Sequence, residues 1–223
     1  MTVRPARPPA SMRRLHWKRA SFASLDFEAT GLDFARDTII SFGVVPITNG
    51  RIDVGECAYD LVDPGDVPQR PETIVVHGLR PIDLSDAPSL DAARESLAAA
   101  LDGRFLVTWY AIVEAAFLDK LFGGGVRSWL RRCVDVRNLV LSIERDDRGG
   151  VPEGVDTTLS GVAERYDIPV ASPHNALDDA LVTAQLFLVV ASRMTTAGTW
   201  DVAKLIRASA WEQPRQLRPG API

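Results

Sequence analysis

The amino-acid sequence predicts an α/β fold with a single mixed sheet. Its first part contains three apolar segments with strand character, and the Asn49-Gly50 pair between the second and the third is a strong hairpin signal. From about residue 89 onwards, short strand-like segments alternate with helical ones, which is typical of parallel strands joined by helices. An antiparallel meander followed by strand–helix units is therefore expected.

The individual elements follow in chain order. Strands are predicted at 21–29, 38–47, 51–64 and 104–109, with a further candidate at 128–136. Helices are predicted at 89–103, 111–125, 138–146, 158–168 and 172–194. Ser172 and Pro173 read as the N-cap and first-turn residues of the last helix.

Length and charge bound the organisation of the chain. At 223 residues it can build one domain with a sizeable core. The first 20 residues carry six basic side chains and no acid, and the whole chain has a net charge of −4, so the remaining residues carry −10. We interpret 1–20 as a basic, flexible extension, 21–195 as the domain and 196–223 as a C-terminal helix and tail.

The acidic body argues against a broad basic groove for nucleic acid and suits a site that gathers carboxylates around cations. The basic extension could serve solubility or act as a phosphate-binding arm, and the sequence leaves both open. Cys57 and Cys133 form neither a CxxC motif nor a disulfide framework, which favours a reducing cytoplasm. With no secretory signal and no apolar stretch of the ~20 residues that a membrane span needs, no membrane association is expected.

Two carboxylates stand at unusual positions in the first predicted strand. Because strand side chains alternate between faces, Asp26 and Glu28 share one face with Phe22 and Ser24. Like charges on a covered face repel each other and resist desolvation. The alternative is a frayed strand end with both acids in solvent.

Two further acids occupy core-like positions in predicted helices. Glu114 lies along the apolar stripe that contains Phe117 and Leu118, whereas Asp119 is turned away from it. In the last helix Asp179 lies on a more apolar line than Asp178 does. The alternative for the first of these helices is that Glu114 is a surface acid and that Asp119, or neither, is a ligand.

Four buried acids from one strand and two helices are too costly unless they converge on cations. Oxygen-only ligands suit Mg²⁺ or Mn²⁺, and two such ions form a known clamp for attack on phosphate esters. His174, near Asp179 in sequence, is the candidate general base for the attacking water. The residue pattern thus indicates metal-assisted hydrolysis of a phosphodiester.

These residues resemble the motifs of the DEDD superfamily of 3′–5′ exonucleases, in its histidine subtype, which includes the proofreading epsilon subunit of DNA polymerase III, RNase T and oligoribonuclease. The first motif, DxExTGL, stands at 26–32, and the third, HxAxxD, at 174–179, with Asn175 where the tyrosine subtype has Tyr. The segment 75–90 is similar to the HGI…AP segment of the family. The resemblance covers about residues 20–192.

The second motif departs from the family pattern HNAxFDxxFL. Residues 109–118 read WYAIVEAAFL, so that Glu114 replaces the usual Asp and Trp109-Tyr110 replace His-Asn. A longer carboxylate can still bind a metal if the backbone lies slightly further away. The substitution therefore bears on rate and metal preference more than on activity itself.

The resemblance implies an RNase H-like fold: a five-stranded mixed sheet, its first three strands antiparallel, with helices on both faces. It also implies that Asp26 bridges two Mg²⁺ or Mn²⁺ ions and that Glu28 and Asp179 complete one metal site. Glu114 would contribute to the other site through water, and His174 would be the base.

The same resemblance suggests residues that contact the terminal nucleotide. They are Phe27, Thr30, Gly31, Leu32, His77 and Phe117. Residues 30–32 would act through backbone contacts and a wedge. His77 is open to interpretation as an ordinary loop residue, and Phe117 as a core residue.

The leading hypothesis is a metal-dependent 3′–5′ exonuclease that releases nucleoside monophosphates from the 3′ end of single-stranded nucleic acid, with DNA as the expected substrate. The alternative substrate is RNA, as 3′ ends or short oligoribonucleotides. A non-catalytic adaptor on a polymerase or repair complex is less favoured, because an adaptor has no need of five unfavourably placed groups. Since the chain shows no polymerase region, a proofreading role requires a separate DNA polymerase as partner.

Overall fold

The computed structural model describes residues 3–148, 155–196 and 198–210. These residues form one mixed sheet covered by helices on both faces, as predicted. The strands are β1 (Ser21–Ala29), β2 (Ile39–Thr48), β3 (Arg51–Ile52), β4 (Ala58–Leu61), β5 (Phe105–Thr108) and β6 (Cys133–Asp135). The central strand β1 pairs antiparallel with β2 and parallel with β5, and β5 pairs parallel with β6.

The predicted third strand, 51–64, is interrupted. Its two pieces, β3 and β4, both pair antiparallel with β2 and are separated by a 3-10 turn at Val54–Glu56. The break lies opposite Pro46, whose carbonyl accepts the Asp53 N–H at 2.9 Å. Because proline has no N–H to return, the ladder cannot continue there. The sheet therefore has six strands where five were expected.

Eight α-helices occur in the described ranges. They are α1 (Pro71–His77), α2 (Leu90–Leu101), α3 (Ala111–Phe122), α4 (Val126–Leu130), α5 (Val136–Arg148), α6 (Leu159–Arg165), α7 (Ala176–Thr196) and α8 (Val202–Ser209). The short helices α1 and α4 were not predicted, and α4 replaces the first part of the strand expected at 128–136. The C-terminal helix α8 is present, and the tail from 211 onwards lies outside the described residues.

The helices divide between the faces of the sheet. Helices α2, α3 and α4 cover the face that carries Leu25 and Phe42, and α5 to α8 cover the face that carries Phe22 and Val45. On the second face Phe187 of α7 packs on Phe22 with ring centroids 5.0 Å apart. No helix among the residues described here has the length and apolar character required to cross a bilayer.

The N-terminal segment differs from the flexible extension that its composition predicts. Residues 10–14 and 17–19 form 3-10 helices, and Trp17 is buried. The indole Nε1 donates to the Thr195 hydroxyl at 2.8 Å, and the ring packs edge-on against Phe187. A buried Trp removes a large apolar area from water, which offsets the entropy of ordering the segment.

Candidate active site

The two carboxylates of the first strand lie inside a complete ladder. Strand β1 extends to Ala29, with Asp26 opposite Gly43 and Glu28 opposite Ser41 on β2. Both acids are half-buried on the face that α7 covers. The alternative of a frayed strand end is therefore wrong.

Helix α3 brings Glu114 to this end of the sheet. Glu114 is only 4% exposed, and its Oε2 is buried without a hydrogen-bond partner among the described residues. Asp119, on the other side of α3, accepts the Gly125 N–H at 2.7 Å and thus stabilises the loop after the helix. Of the two acids weighed from the sequence, Glu114 is the one whose charge acts on Asp26.

Asp135 at the end of β6 is a residue that sequence reasoning missed. Its Oδ2 accepts the N–H of Ala111, the first residue of α3, at 3.0 Å, and its Oδ1 accepts the Asn138 N–H of α5 at 2.9 Å. One carboxylate thus caps two helices and fixes the start of the helix that carries Glu114. Burial raises the pKa of Asp135 to about 6.

Replacing Asp135 with Ala should therefore destabilise the protein and disturb the site together. A lost N-cap costs about 1 kcal/mol, and two helices lose theirs, so the free energy of unfolding should fall by about 2 kcal/mol. Urea denaturation of the metal-free protein measures this. Asp135→Asn, which keeps one acceptor oxygen, should lose less, and equal stability of Asp135→Ala and wild type would show that the caps are dispensable.

The segment before α7 carries His174 and differs from the predicted helix start. The helix begins at Ala176, and Asn175 is its cap, since its Oδ1 accepts the N–H groups of Leu177 and Asp178 at 3.1 and 3.2 Å. Ser172 and Pro173 precede the helix and do not cap it, because Asn175 offers the capping oxygen directly before the first turn.

His174 is held next to Asp179 by its own backbone. It has a φ of 62°, and its N–H donates to Asp179 Oδ2 at 3.1 Å. The left-handed conformation is uncommon for a residue with a side chain and is typical of functional sites. The imidazole is exposed to solvent, and the Asp179 carboxylate is half-buried.

The close contact between α7 and the sheet depends on Gly43. A Cβ at this position would lie 2.2 Å from the Ala176 carbonyl oxygen and 2.4 Å from the Leu177 Cα. A glycine inside a strand often marks such a close backbone approach. Gly43, directly opposite Asp26, therefore sets the height at which α7 places Asp179 over the strand.

The carboxylates affect one another strongly. The pKa of Asp26 is well above its ordinary value, mainly through burial and further through the charges of Glu114, Glu28 and Asp179. Burial and then Asp179 raise the pKa of Glu28 to about 8. Burial raises the pKa of Glu114 and Asp179 as well, although the His174 N–H and imidazole partly offset this at Asp179. Asp26 therefore interacts electrostatically with each of the other three acids.

This donor set fits a divalent cation. One oxygen each of Glu28 and Asp179 and one nitrogen of His174 lie within 4.8 Å of one another, and the charges of both acids act on Asp26. The unpartnered Oε2 of Glu114 is a further acceptor without a proton donor. A cation of charge 2+ would neutralise this cluster and satisfy its oxygen atoms.

The raised pKa of Glu28 predicts a pH dependence of the metal-free protein. Between the ordinary pKa of 4.5 and the folded value of about 8, the folded chain holds more protons at this site than the unfolded chain does. The contribution of Glu28 to stability is therefore present at low pH and is lost as the pH rises through this window. Thermal melts in EDTA should show a Tm that falls as the pH rises through this window. Saturating Mn²⁺ should make the decrease in Tm smaller. A Tm in EDTA that rises steadily to pH 8 would contradict this.

The loop after β1 is ordered by the side chain of Asp37. Its carboxylate accepts the Thr30 hydroxyl at 3.1 Å, the Asp33 N–H at 2.7 Å and the Arg70 guanidinium at 2.9 Å. The Thr30 N–H is also engaged, with the Thr38 carbonyl at 2.9 Å. The Thr30 N–H and hydroxyl thus hold the loop together, and the nucleotide contact expected for Thr30 stays a prediction.

The two following residues remain available. Among the described residues, the N–H groups of Gly31 and Leu32 have no hydrogen-bond acceptor, and the Leu32 side chain is 47% exposed. Gly31 is required here because a Cβ would lie 2.4 Å from Asp37 Oδ2. The loop thus presents two backbone donors and one apolar side chain.

The aromatic candidates lie in the core. Phe117 is 1% exposed, and it packs edge-on against Phe27 and Phe34, with centroids 6.1 and 5.2 Å apart. Phe27 points to the face of β1 opposite to Asp26 and is buried as well. We assign both to the core, where hydrophobic burial accounts for them, and not to substrate contact.

His77 at the end of α1 faces the site. Its Nδ1 accepts the Leu79 N–H at 3.0 Å, so the ring proton is on Nε2, and that atom is buried without a partner among the described residues. Burial and then the nearby His174 lower the pKa of His77. His77 is therefore a neutral donor beside the candidate base.

Tyr59 is a second residue that sequence reasoning missed. On β4 it lies opposite Gly43, so it shares the face of Asp26. Its phenol interacts with the side chain of Asn175 and lies near Glu28, and burial is the main cause that raises its pKa. The pairing of β4 with β2 would have indicated that Tyr59 shares the face of Asp26, if the break in the predicted third strand had been foreseen.

Comparisons with known proteins identify the family and the fold of the chain. The model of the exonuclease (RNase T) family matches residues 24–187. A DNA polymerase III PolC-type protein of Thermotoga petrophila is 29% identical over 194 residues, which are 85% of this chain and 13% of that protein. A DNA polymerase III subunit epsilon-like protein of Rhodobacter capsulatus is 28% identical over 176 residues, or 76% of this chain and 23% of its own length. The chain thus spans less than a quarter of these relatives.

Solved structures share the fold. Cell-death related nuclease 4 (CRN-4) superposes with a TM-score of 0.63 at 19% identity over 80% of this chain and 64% of its own. E. coli Exonuclease I in complex with a dT13 oligonucleotide superposes with a TM-score of 0.65 at 16% identity. The match covers 80% of this chain and 42% of Exonuclease I. Exonuclease X in complex with 5′ overhanging duplex DNA superposes with a TM-score of 0.60 at 17% identity. The match covers 85% of this chain and 99% of Exonuclease X. These neighbours confirm the RNase H-like fold, and with the family match over residues 24–187 the chain belongs to the exonuclease family.

Proposed function

We propose that the chain is a divalent-metal-dependent 3′–5′ exonuclease that hydrolyses DNA to nucleoside monophosphates. The observation that carries this proposal is that Glu28, Asp179 and His174 bring ligand atoms within 4.8 Å of one another, while Asp26 interacts electrostatically with Glu28, Glu114 and Asp179. A purely structural cluster of four acids with raised pKa values would lower the free energy of unfolding, and no other interaction would compensate for this. Membership of the exonuclease family gives this cluster a chemical purpose.

The proposed roles follow from position. Asp26, which lies next to the other three acids, would bridge two ions, Glu28 and Asp179 would complete one site, and Glu114 would serve the other. When bound, Mg²⁺ or Mn²⁺ ions stabilise negative charge on the phosphate and favour ionisation of the attacking water. His174, which is exposed and adjacent to the acids, would accept the proton of that water.

Other groups would hold the substrate. The unpartnered N–H groups of Gly31 and Leu32 suit the terminal nucleotide, and the exposed Leu32 side chain suits a wedge against its base. The neutral Nε2–H of His77 is a donor suited to a phosphate oxygen. These contacts recognise a chain end and do not require a particular base sequence.

DNA is the proposed substrate because the relatives are named as DNA polymerase III proteins and two of the solved neighbours hold DNA. The names of the relatives support a DNA polymerase as a partner, and a repair complex stays the alternative partner. RNA 3′ ends are the alternative substrate, since the groups that would discriminate the 2′-OH are not identified by this geometry.

A nuclease panel tests the proposal. Single- and double-stranded DNA and RNA, labelled at the 5′ end, are incubated with Mg²⁺, Mn²⁺ or EDTA. We expect a ladder that shortens from the 3′ end on DNA and disappears in EDTA. A ladder on RNA alone would show that the substrate is RNA and not DNA. If none of the four nucleic acids is cleaved in either metal, the enzymatic proposal is rejected.

The role of His174 gives a separate prediction. His174→Ala should lower turnover roughly a hundredfold or more, as expected for the loss of a general base, while Mn²⁺ affinity stays close to wild type. The pH–rate profile of wild type should contain an ascending limb, as expected for a general base, and the variant should lack that limb. Calorimetric Mn²⁺ titration and pH–rate profiles measure both effects. Lost metal affinity would make His174 a ligand instead.

A further inference from the structure

Three arginines meet at the opposite end of β6 from Asp135. The N-terminal segment crosses the protein there, held by the backbone of Ala6: its N–H donates to Asp102 at 2.7 Å, and its carbonyl accepts from the Gly103 N–H and from Arg132 Nη1, each at 3.2 Å. Arg4 and Arg7 on either side of Ala6 are thereby placed beside Arg132, which directly precedes β6.

Arg132 is buried with most of its hydrogen-bonding capacity unused. It is 5% exposed, and its guanidinium carbon lies 4.1 Å from the centroid of the Trp129 ring. Its Nε and Nη2 are buried without an acceptor among the described residues. Leaving donors of a buried cation unpaired is costly, so this arrangement indicates a missing acceptor.

The neighbours of Arg132 add positive charge. Arg4 lies 5.5 Å from the same Trp129 ring and is exposed, and exposed Arg7 donates to the Ser128 hydroxyl. Burial and then these two cations lower the pKa of Arg132 to about 10, although Asp102 nearby opposes this. Among the ion pairs of the described residues, none includes Arg4, Arg7 or Arg132.

An anion with several oxygen atoms would satisfy these groups. Guanidinium groups bind phosphate through paired N–H donors, and three cations around one tetrahedral anion would relieve their mutual repulsion. We propose that Arg4, Arg7 and Arg132 form a phosphate-binding site at the far end of the sheet from the carboxylate cluster. Because Arg132 Nε and Nη2 are covered in this structure, the phosphate contacts exposed Arg4 and Arg7 first and reaches Arg132 after a local side-chain movement.

The phosphate group could belong to a small molecule or to a nucleic-acid backbone. In the first case the site holds orthophosphate or a nucleotide and fastens the N-terminal segment to the domain. In the second, it gives a second point of contact for a bound strand, in a body whose charge is otherwise acidic. The shared chemistry is the phosphate, and the sources can be separated experimentally.

The test is a titration of the full chain with inorganic phosphate in EDTA, against chloride at equal ionic strength. Without metal, the carboxylate cluster repels phosphate, so binding there is suppressed. We expect a higher Tm in phosphate and a calorimetric signal for one site. Arg4→Gln/Arg7→Gln should reduce the affinity at least about tenfold, and the exposed pair Arg14→Gln/Arg19→Gln, with the same change in net charge, should leave it unchanged.

Arg132→Gln should also abolish binding, and circular dichroism shows whether that variant folds; the Arg4/Arg7 variant decides the outcome if it does not. A phosphorothioate oligonucleotide that displaces phosphate from wild type would identify the nucleic-acid backbone as the source, and phosphate binding without such competition would identify a small molecule. Equal stabilisation by phosphate and chloride, or equal phosphate affinity of the two double variants, would overturn the proposal.

Discussion

Replacing Asp26 with Asn is expected to abolish turnover and to raise the Tm of the metal-free protein. Asp26 lies beside the other three acids, and its pKa is held well above the ordinary value mainly by burial. Removing its charge relieves repulsion in the absence of metal. The same change removes the proposed bridging ligand, and a loss of several kcal/mol of transition-state stabilisation corresponds to a rate lower by about a thousandfold or more.

Two measurements separate these effects. Thermal melts in EDTA should place Asp26→Asn at or above wild type, and its Tm should fall less as the pH rises, because one of the groups with a raised pKa is gone. Nuclease assays in Mg²⁺ and Mn²⁺ should show no turnover. Activity near wild type would contradict the bridging role, and a lower Tm in EDTA would contradict the electrostatic explanation.

Replacing Glu114 with Gln should have the second largest effect. Glu114 is buried at the carboxylate cluster. Asp119, on the other side of the same helix, accepts the Gly125 N–H. Asp119→Asn is therefore a matched control, because it removes one acid from α3 and keeps the acceptor oxygen. We expect Glu114→Gln to lose at least about a hundredfold in rate and Asp119→Asn to stay within about threefold.

The longer side chain of Glu114 also bears on the metal. Mn²⁺ tolerates imperfect geometry better than Mg²⁺, which demands a near-ideal octahedron, so wild type should turn over faster with Mn²⁺. Glu114→Asp should change the ratio of the Mn²⁺ and Mg²⁺ rates, with a sign that depends on whether the shorter side chain still reaches the ion. Equal rates of Glu114→Gln and wild type in both metals would show that the second motif is misassigned.

Local periodicity was sufficient to predict much of this site. Alternation along β1 placed Asp26 and Glu28 on one face, and the helical stripe of α3 distinguished Glu114 from Asp119. These features depend only on residues close in sequence. The motif spacing at 174–179 then related His174 to Asp179, and the structure places their backbone and side chain in contact.

The features that were not predicted depend on contacts between distant segments. Asp135 caps α3 from a strand 24 residues further along the chain, which no local pattern reveals. Gly43 gains its role from the approach of α7, and the third strand breaks because Pro46 on its neighbour lacks an N–H. The N-terminal segment was misjudged because its Pro and Arg content outweighed one residue, Trp17, whose pocket is formed by the far end of the chain.

The direction and metal dependence of cleavage on one substrate test the proposed 3′–5′ exonuclease activity most directly. A single-stranded DNA oligonucleotide with a 5′ label is incubated with wild type in Mn²⁺, and the products are resolved at nucleotide resolution. A 3′–5′ exonuclease with Asp26 as a metal ligand should give a ladder that shortens progressively from the 3′ end and should release nucleoside monophosphates. Both should be lost completely in EDTA or in Asp26→Asn. Internal cuts, immediate release of the labelled 5′ nucleotide, or cleavage that persists in EDTA would contradict it.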